Sequence, residues 1–195
     1  MKNVSVMLLL IIVVIFCFAG CNSRNADITV EAAGIHTIEP PEDGWTLEQL
    51  NEVLYMNGQK IELPLMFSSL KDGYEIRDKR YNGETSVDRD IVGGCLYYND
   101  ELVSLITFYE LENDAEILTM FFSPAIYDDK QDYSAYININ GFGLKNDISD
   151  IYDRLGNSFA NESGIIIYAI KNSDYILDVP DAEDFGIYIK KKGEV

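Results

Sequence analysis

The residue types that do covalent and metal chemistry are scarce in this chain. Its 195 residues include one histidine, His36, and three cysteines, Cys17, Cys21 and Cys95. His36 stands in a stretch with neither helical nor strand period, so the part expected to fold has no imidazole. That removes Ser-His-Asp and Cys-His catalysis and any histidine-ligated zinc or iron site. Gly93-Gly94 and Gly141-Phe142-Gly143 match neither a phosphate-binding loop nor the dinucleotide fingerprint. Carboxylates remain, because glycoside hydrolysis needs only two at a suitable separation and the chain has 33 Asp and Glu. Yet they cluster where turns are expected, as in Tyr127-Asp128-Asp129 and Asp181-Ala182-Glu183-Asp184, and solvation explains them there. The second cluster, running on to Phe185-Gly186, lacks the alternating ligands and closing Glu of a calcium loop. No catalytic residue, metal ligand or cofactor-binding residue is assigned, and no cofactor is implied.

Cys21 has a chemistry of its own. Lys2 precedes an apolar run over residues 4–18, which leads into Ala19-Gly20-Cys21. At 1.5 Å per residue that run covers about 22 Å of a hydrocarbon core of about 30 Å, so a cleaved signal peptide, 1–20, fits better than a spanning helix. Phe18-Ala19-Gly20-Cys21 resembles the lipobox of bacterial lipoproteins, with Phe18 where that family usually has Leu. The resemblance implies a diacylglycerol of palmitate type on the Cys21 thiol and cleavage at its amino side. It also implies a membrane partner reached through that lipid, and a place on the extracellular face of the cell membrane; two or more acyl chains hold a protein there almost permanently. The alternatives are an ordinary secretory signal with a coincidental cysteine, or an uncleaved helix. With Cys17 lost and Cys21 acylated, Cys95 is alone and no intrachain disulfide forms. In Ile91-Val92-Gly93-Gly94-Cys95-Leu96-Tyr97-Tyr98 it reads as a small buried hydrophobe; a reactive nucleophile is the sharper alternative, with no neighbouring base to support it.

The chain carries a net charge of −18; without residues 1–20, which hold Lys2 and no acid, 33 acids face 14 bases and the charge is −19. Such a surface repels nucleic acid and anionic headgroups, so no nucleic-acid partner is expected. The acidity serves solubility and stand-off from the membrane, or else a cationic partner.

The elements are set by turn chemistry. Residues 21–44 read as the lipidated cysteine and a flexible tether, ending at Pro40-Pro41. Thr46 and Gln49 form a capping box for a helix with Leu47 and Leu50 on one face, and residues 53–56 suit either its end or a strand. Asn57-Gly58 favours a hairpin, 52–56 with 59–63. A short helix is expected after Pro64, through Met66, Phe67 and Leu70. Strands follow at 74–78, 95–98 and 102–111, the last two joined by Asn99-Asp100, after a polar insertion with a turn at Asn82-Gly83. Residues 116–122 read as a strand, though Ile117, Leu118, Phe121 and Phe122 also suit a helical face. Then come a strand at 136–140, the turn Asn140-Gly141, and a helix capped by Asn146 or Asp147 with Ile148, Ile151, Tyr152 and Leu155 at helical spacing and Gly156 as its C-terminal cap. Further strands are expected at 164–170, 175–179 and 185–190.

The halves align at a constant offset of 83: Asn57-Gly58 with Asn140-Gly141, Ile61 with Leu144, Leu65 with Ile148, Gly73 with Gly156. This reads as an internal duplication, with about ten extra residues in one loop of the first copy. The run GLKNDISDIYDRLG, 143–156, resembles the helix signature of β-lactamase-inhibitor-protein-like modules, also seen in outer-membrane assembly lipoproteins of the SmpA/OmlA type. The run WTLEQLNEVLYMNGQKIELP, 45–64, is similar to uncharacterised secreted lipoproteins of Gram-positive anaerobes; Pro64 and Ser68-Ser69 depart from the helix signature in the first copy. The resemblance implies an α+β fold of two tandem modules, 45–124 and 125–195, each with short helices on antiparallel sheet and a sheet face open to a partner. Tyr97, Tyr98, Tyr109, Tyr168, Tyr175 and Tyr188 fall on expected strands, where they pair across the sheet or, facing one way, make a recognition surface.

The expected function is therefore a non-catalytic binding module, anchored outside the membrane, for a protein or envelope polymer. The alternatives are a two-carboxylate enzyme acting on glycans, and an inhibitor of an extracellular hydrolase. Mass spectrometry of the mature protein is expected to find Cys21 as its first residue with lipid attached; a different start, or a lipid-free chain, removes the address.

Overall fold

Turns with left-handed backbone cut this chain into short apolar strands, and the pairing of those strands makes the fold. The computed structural model describes residues 34–81, 91–128, 131–157, 160–162, 164–180 and 185–193, with backbone alone for Tyr81 and 160–162. The leader, Cys21, the Asn82-Gly83 turn, Asp129 and the acids at 181–184 lie outside the described residues.

Helix α1 (Leu47–Val53) begins with the expected capping box: Thr46 Oγ1 accepts the Gln49 N–H at 3.2 Å, and Gln49 Oε1 accepts the Thr46 N–H at 3.0 Å. It runs directly into β1 (Leu54–Met56) and β2 (Gln59–Lys60), whose turn residues Asn57 and Gly58 have φ of 49° and 69°. After β3 (Leu65–Met66), the strands β4 (Tyr74–Tyr81), β5 (Ile91–Tyr98), β6 (Glu101–Glu110) and β7 (Ala115–Phe122) form a meander. Asn99 and Asp100, at φ 49° and 68°, join β5 to β6. Then β8 (Asn138–Ile139) and β9 (Phe142–Gly143) turn at Asn140 and Gly141, φ 52° and 85°. All three turns have the paired positive φ that two-residue hairpins with right-handed strand twist require. A 3₁₀ turn at Ile148–Asp150, capped by Asp147, leads into α2 (Ile151–Leu155). Strands β10 (Ala160–Glu162), β11 (Ile165–Ala169), β12 (Tyr175–Pro180) and β13 (Ile187–Lys191) make a second meander.

The fold is α+β and mostly antiparallel sheet. The two hairpins lie side by side in a four-stranded sheet of order β2-β1-β8-β9. The meanders meet at their last strands, giving the order β10-β11-β12-β13-β7-β6-β5-β4, and β3 pairs with the rest of β7 beside β13. Side chains from the inner face of the large sheet, among them Leu96, Phe108, Met120, Phe122, Leu177 and Ile189, pack into one cluster with those of the small sheet and both helices. Phe108, Phe122 and Phe142 are among its largest fully buried members. Each contributes about 2–3 kcal/mol by removal from water. Among the described residues no helix is long and apolar enough to cross a membrane.

Several local expectations change. The helix expected after Pro64 is instead β3 and a 3₁₀ turn, Phe67–Ser69. Leu65 pairs with Ile117, and Ser68 donates its N–H and hydroxyl to the Asp114 carboxylate at 2.9 and 2.5 Å. A distant strand and a loop acid thus supply partners that a helix would have withheld. The first hairpin is shorter than 52–56 with 59–63, since Glu52 and Val53 complete α1. Strand β5 begins at Ile91 rather than Cys95, and β4 extends past a bulge near Asp78, φ 54°.

The expected tether also ends earlier. The His36 N–H donates to Tyr55 Oη at 3.1 Å, and Trp45 Nε1 donates to the Leu155 carbonyl at 2.8 Å. Asn140, 2% exposed, clamps this strap: its Oδ1 accepts the Ile38 N–H at 2.8 Å, while Nδ2 donates to the Ile38 and Arg154 carbonyls at 2.9 and 2.6 Å. Asn140→Ala orphans three backbone groups and is expected to destabilise the fold by about 3 kcal/mol. Asn57→Ala has the same φ penalty but loses one side-chain bond, to Tyr74, so its melting temperature should fall by clearly less. Equal shifts in thermal melts of the two variants would show that the clamp adds nothing.

Candidate functional site

Among the described residues, one side of the large sheet is covered and the other is open. Alternation along each strand decides which residues stand on the open side, because Leu177 and Val179, Ile187 and Ile189, Met120 and Phe122 are core members. Their neighbours line up across seven strands through the pairing register. Arg77 is opposite Cys95, Cys95 opposite Leu105, Leu105 opposite Phe121, Phe121 opposite Tyr188, Tyr188 opposite Asp178 and Asp178 opposite Ile167. A second row runs Gly93, Thr107, Thr119, Lys190, Ile176, Ala169, with the Thr107 and Thr119 hydroxyls 2.6 Å apart.

The open face of an antiparallel sheet is ordinarily polar. This one is largely apolar. Leu105, Ile165 and Tyr188 are each 36% exposed, three of the four large exposed hydrophobics among the described residues. Phe121 and Tyr188 stack with ring centroids 4.1 Å apart. Gly186 makes room for this pair: a Cβ there would stand 2.4 Å from Phe121 Cε2, so a larger residue would lift the ring. At the β4 end Arg77 lies 4.7 Å over the Tyr97 ring, its guanidinium 2.7 Å from Glu75 and 2.6 Å from Asp100. In the other half, the Asp178 carboxylate pairs with Lys190 through Oδ2, while Oδ1 is buried without a partner.

The tyrosines divide between the faces. Tyr97 and Tyr188 stand on the open side, whereas Tyr98 packs on Tyr74 and Tyr168 and Tyr175 belong to the core cluster. Tyr168 donates its hydroxyl to the Gly156 carbonyl at 3.0 Å; the buried Tyr175 hydroxyl has no partner and its pKa is pushed up to about 12, first by burial. Tyrosine is itself amphipathic, so its presence on a strand does not mark which side that strand turns to the core. The sequence does not assign Leu105 and Phe121 to the open face, because β6 and β7 are apolar on both faces.

Cys95 is half-buried on the open face, not within the core. Burial, with a smaller push from Asp78, raises its thiol pKa, and Arg80 opposes this. Asp114, Asp132 and Asp147 are each held below the ordinary carboxylate range, by Ser68, by Lys145 (to about 2) and by the Ser149 N–H respectively. A general acid at a glycosidic oxygen needs the opposite shift. A groove of about 660 Å³ collects Glu75, Glu110, Glu112 and Asp114, and one of about 470 Å³ collects Asp100, Glu101 and Asp128. In the second, Glu101 accepts the Tyr136 hydroxyl at 3.1 Å. Among the described residues no three His, Cys, Asp or Glu side chains converge as metal ligands.

No family model, curated protein or solved structure matches the chain. At pH 8 Cys95 is expected to react with an aromatic disulfide reagent several-fold more slowly than free cysteine, since the thiolate is the attacking form; a rate above that of free cysteine would mark an activated nucleophile.

Proposed function

We propose that this chain is a non-catalytic binding module that recognises a protein or cell-envelope component through the open face of its large sheet. It is held at the extracellular face of the cell membrane by lipid on Cys21. The observation that carries the reading is the apolar row Leu105, Phe121, Tyr188, with Ile165 and Ile167 beyond Asp178, which the described residues leave uncovered on a sheet whose other side packs into the core. Exposed contiguous apolar surface marks interaction sites in soluble proteins, and aromatic residues are enriched at interface centres. A flat face with a stacked aromatic pair suits a folded partner better than a single sugar unit, for which a cleft is the usual host. Inhibition of an extracellular hydrolase is the narrower form of the same reading.

The face is best understood as a product of two tandem modules, 45–124 and 125–195. Each contains an Asn-turned hairpin, a short helical turn and a four-stranded meander, in the same order. Under the offset of 83, Tyr55 corresponds to Asn138, and these two residues are paired with one another in the small sheet. A twofold relation between duplicated units requires such self-pairing at its axis. The meanders likewise join through equivalent strands, β7 and β13.

The test uses the mature chain as bait in cell-envelope extract. Leu105→Asp with Tyr188→Asp is expected to lose the captured component, while Tyr152→Asp, at the 43% exposed tyrosine on α2, keeps it. Capture unaffected by the face variants would sink the reading.

A further inference from the structure

On β12 the open face holds an acid that the described residues leave incompletely paired. Asp178 alternates with the core residues Leu177 and Val179, yet it is only 8% exposed, flanked by Ile167 and Tyr188. Lys190, 32% exposed in its side chain, takes Oδ2; among the described residues Oδ1 has no donor. A carboxylate shielded from water with one oxygen unbonded is unfavourable, and an apolar residue at this place would suit the face better. Buried polar groups are ordinarily hydrogen-bonded, and the exceptions concentrate at functional sites.

The other half of the face shows what completes such a site. There, a guanidinium lies over a tyrosine ring and between carboxylates: Arg77 on Tyr97, with Glu75 and Asp100. Tyr188 and Asp178, opposite one another on β13 and β12, offer an incoming cation the same combination of ring and carboxylate. The apolar residues around them, Ile167 and Phe121, suit the methylene stem of a lysine or arginine and its apolar neighbours. A net charge of −18 selects for basic partners and against nucleic acid, anionic lipid and a second copy of this chain.

We propose that the open face docks a basic, amphipathic protein segment, which lays apolar side chains on Phe121, Tyr188 and Ile167 and brings a lysine or arginine beside Tyr188 to the exposed edge of the Asp178 carboxylate, whose side chain is 11% exposed. This rests on the reading of the face as a binding surface. It specifies the chemistry of the partner.

Fluorescence anisotropy of the mature chain with three labelled peptides tests it: one of leucine and lysine, one of leucine and glutamate, one of serine and lysine. At physiological salt the leucine–lysine peptide is expected to bind at least tenfold more tightly than either of the others. Asp178→Asn should weaken it at least tenfold, whereas Asp153→Asn, which removes an equal charge from α2, should not. Asp178→Leu separates function from folding: it should bind no better than Asp178→Asn while melting at the same temperature as the parent or higher. Equal binding of the serine–lysine peptide, equal loss in the Asp178→Asn and Asp153→Asn variants, or no binding at all overturns the proposal. Loss in Tyr188→Ser but not in Asp178→Asn overturns the cationic specificity and leaves the face as a binding surface; loss in neither overturns both.

Discussion

The pairing of β7 with β13 is the constraint on which the rest of this structure depends. β7 is hydrogen-bonded to β6 along one flank, and on the other to β13 through residues 119–122 and to β3 through 116–117. Three parts of the chain far apart in sequence are thus aligned by one strand. Were β7 and β13 parted, each meander would end in an unpaired apolar edge, and the inner faces that cover Phe108 and Leu177 would no longer be continuous. The small sheet repeats the arrangement on the other side of the core, with β1 and β8 as the joined strands. The same residues therefore carry sheet continuity and core closure, and neither forms without the other.

Only one side of the large sheet is needed for that closure. The hairpin sheet, α1, α2 and the strap at 36–45 all serve the inner side, and their hydrogen bonds tie the strap to the hairpin turn through Asn140 and to the end of α2 through Trp45. The described chain spends its helices and its small sheet there. What is left outside is a row of side chains set in register by strand pairing alone. Because β-strand side chains are fixed perpendicular to a packed sheet, such a row is pre-organised and loses little conformational freedom when it is covered.

Much of this was legible locally. Asn57-Gly58, Asn99-Asp100 and Asn140-Gly141 announce hairpins because few residues tolerate positive φ, and each turn forms where the sequence places it. The Thr46 and Gln49 capping box and the Asp147 cap were equally readable. The elements that were misread have their partners elsewhere. Leu65 and Met66 look helical until Ile117 is beside them, and the strap looks like a tether until Asn140 reaches it. The face itself was hidden by a different cause. In β7 both sides are apolar, so its pattern fits a strand or a helix and shows no solvent side; that same doubling is what makes the open face unusual.

A sheet with an apolar outer face invites stacking on a second copy, and charge decides against it. Two chains of net charge −18 brought face to face place many like charges within a Debye length of about 8 Å, where screening is incomplete. A few hundred square ångströms of apolar contact gain on the order of 5–10 kcal/mol before the costs of association, a margin that such repulsion and the loss of free motion can consume. The opposite holds for a cationic partner, for which the same field is attractive at a distance and the same apolar row is favourable at contact. Acidity and open hydrophobicity then act together: one excludes self-association and the other retains the partner that the field admits.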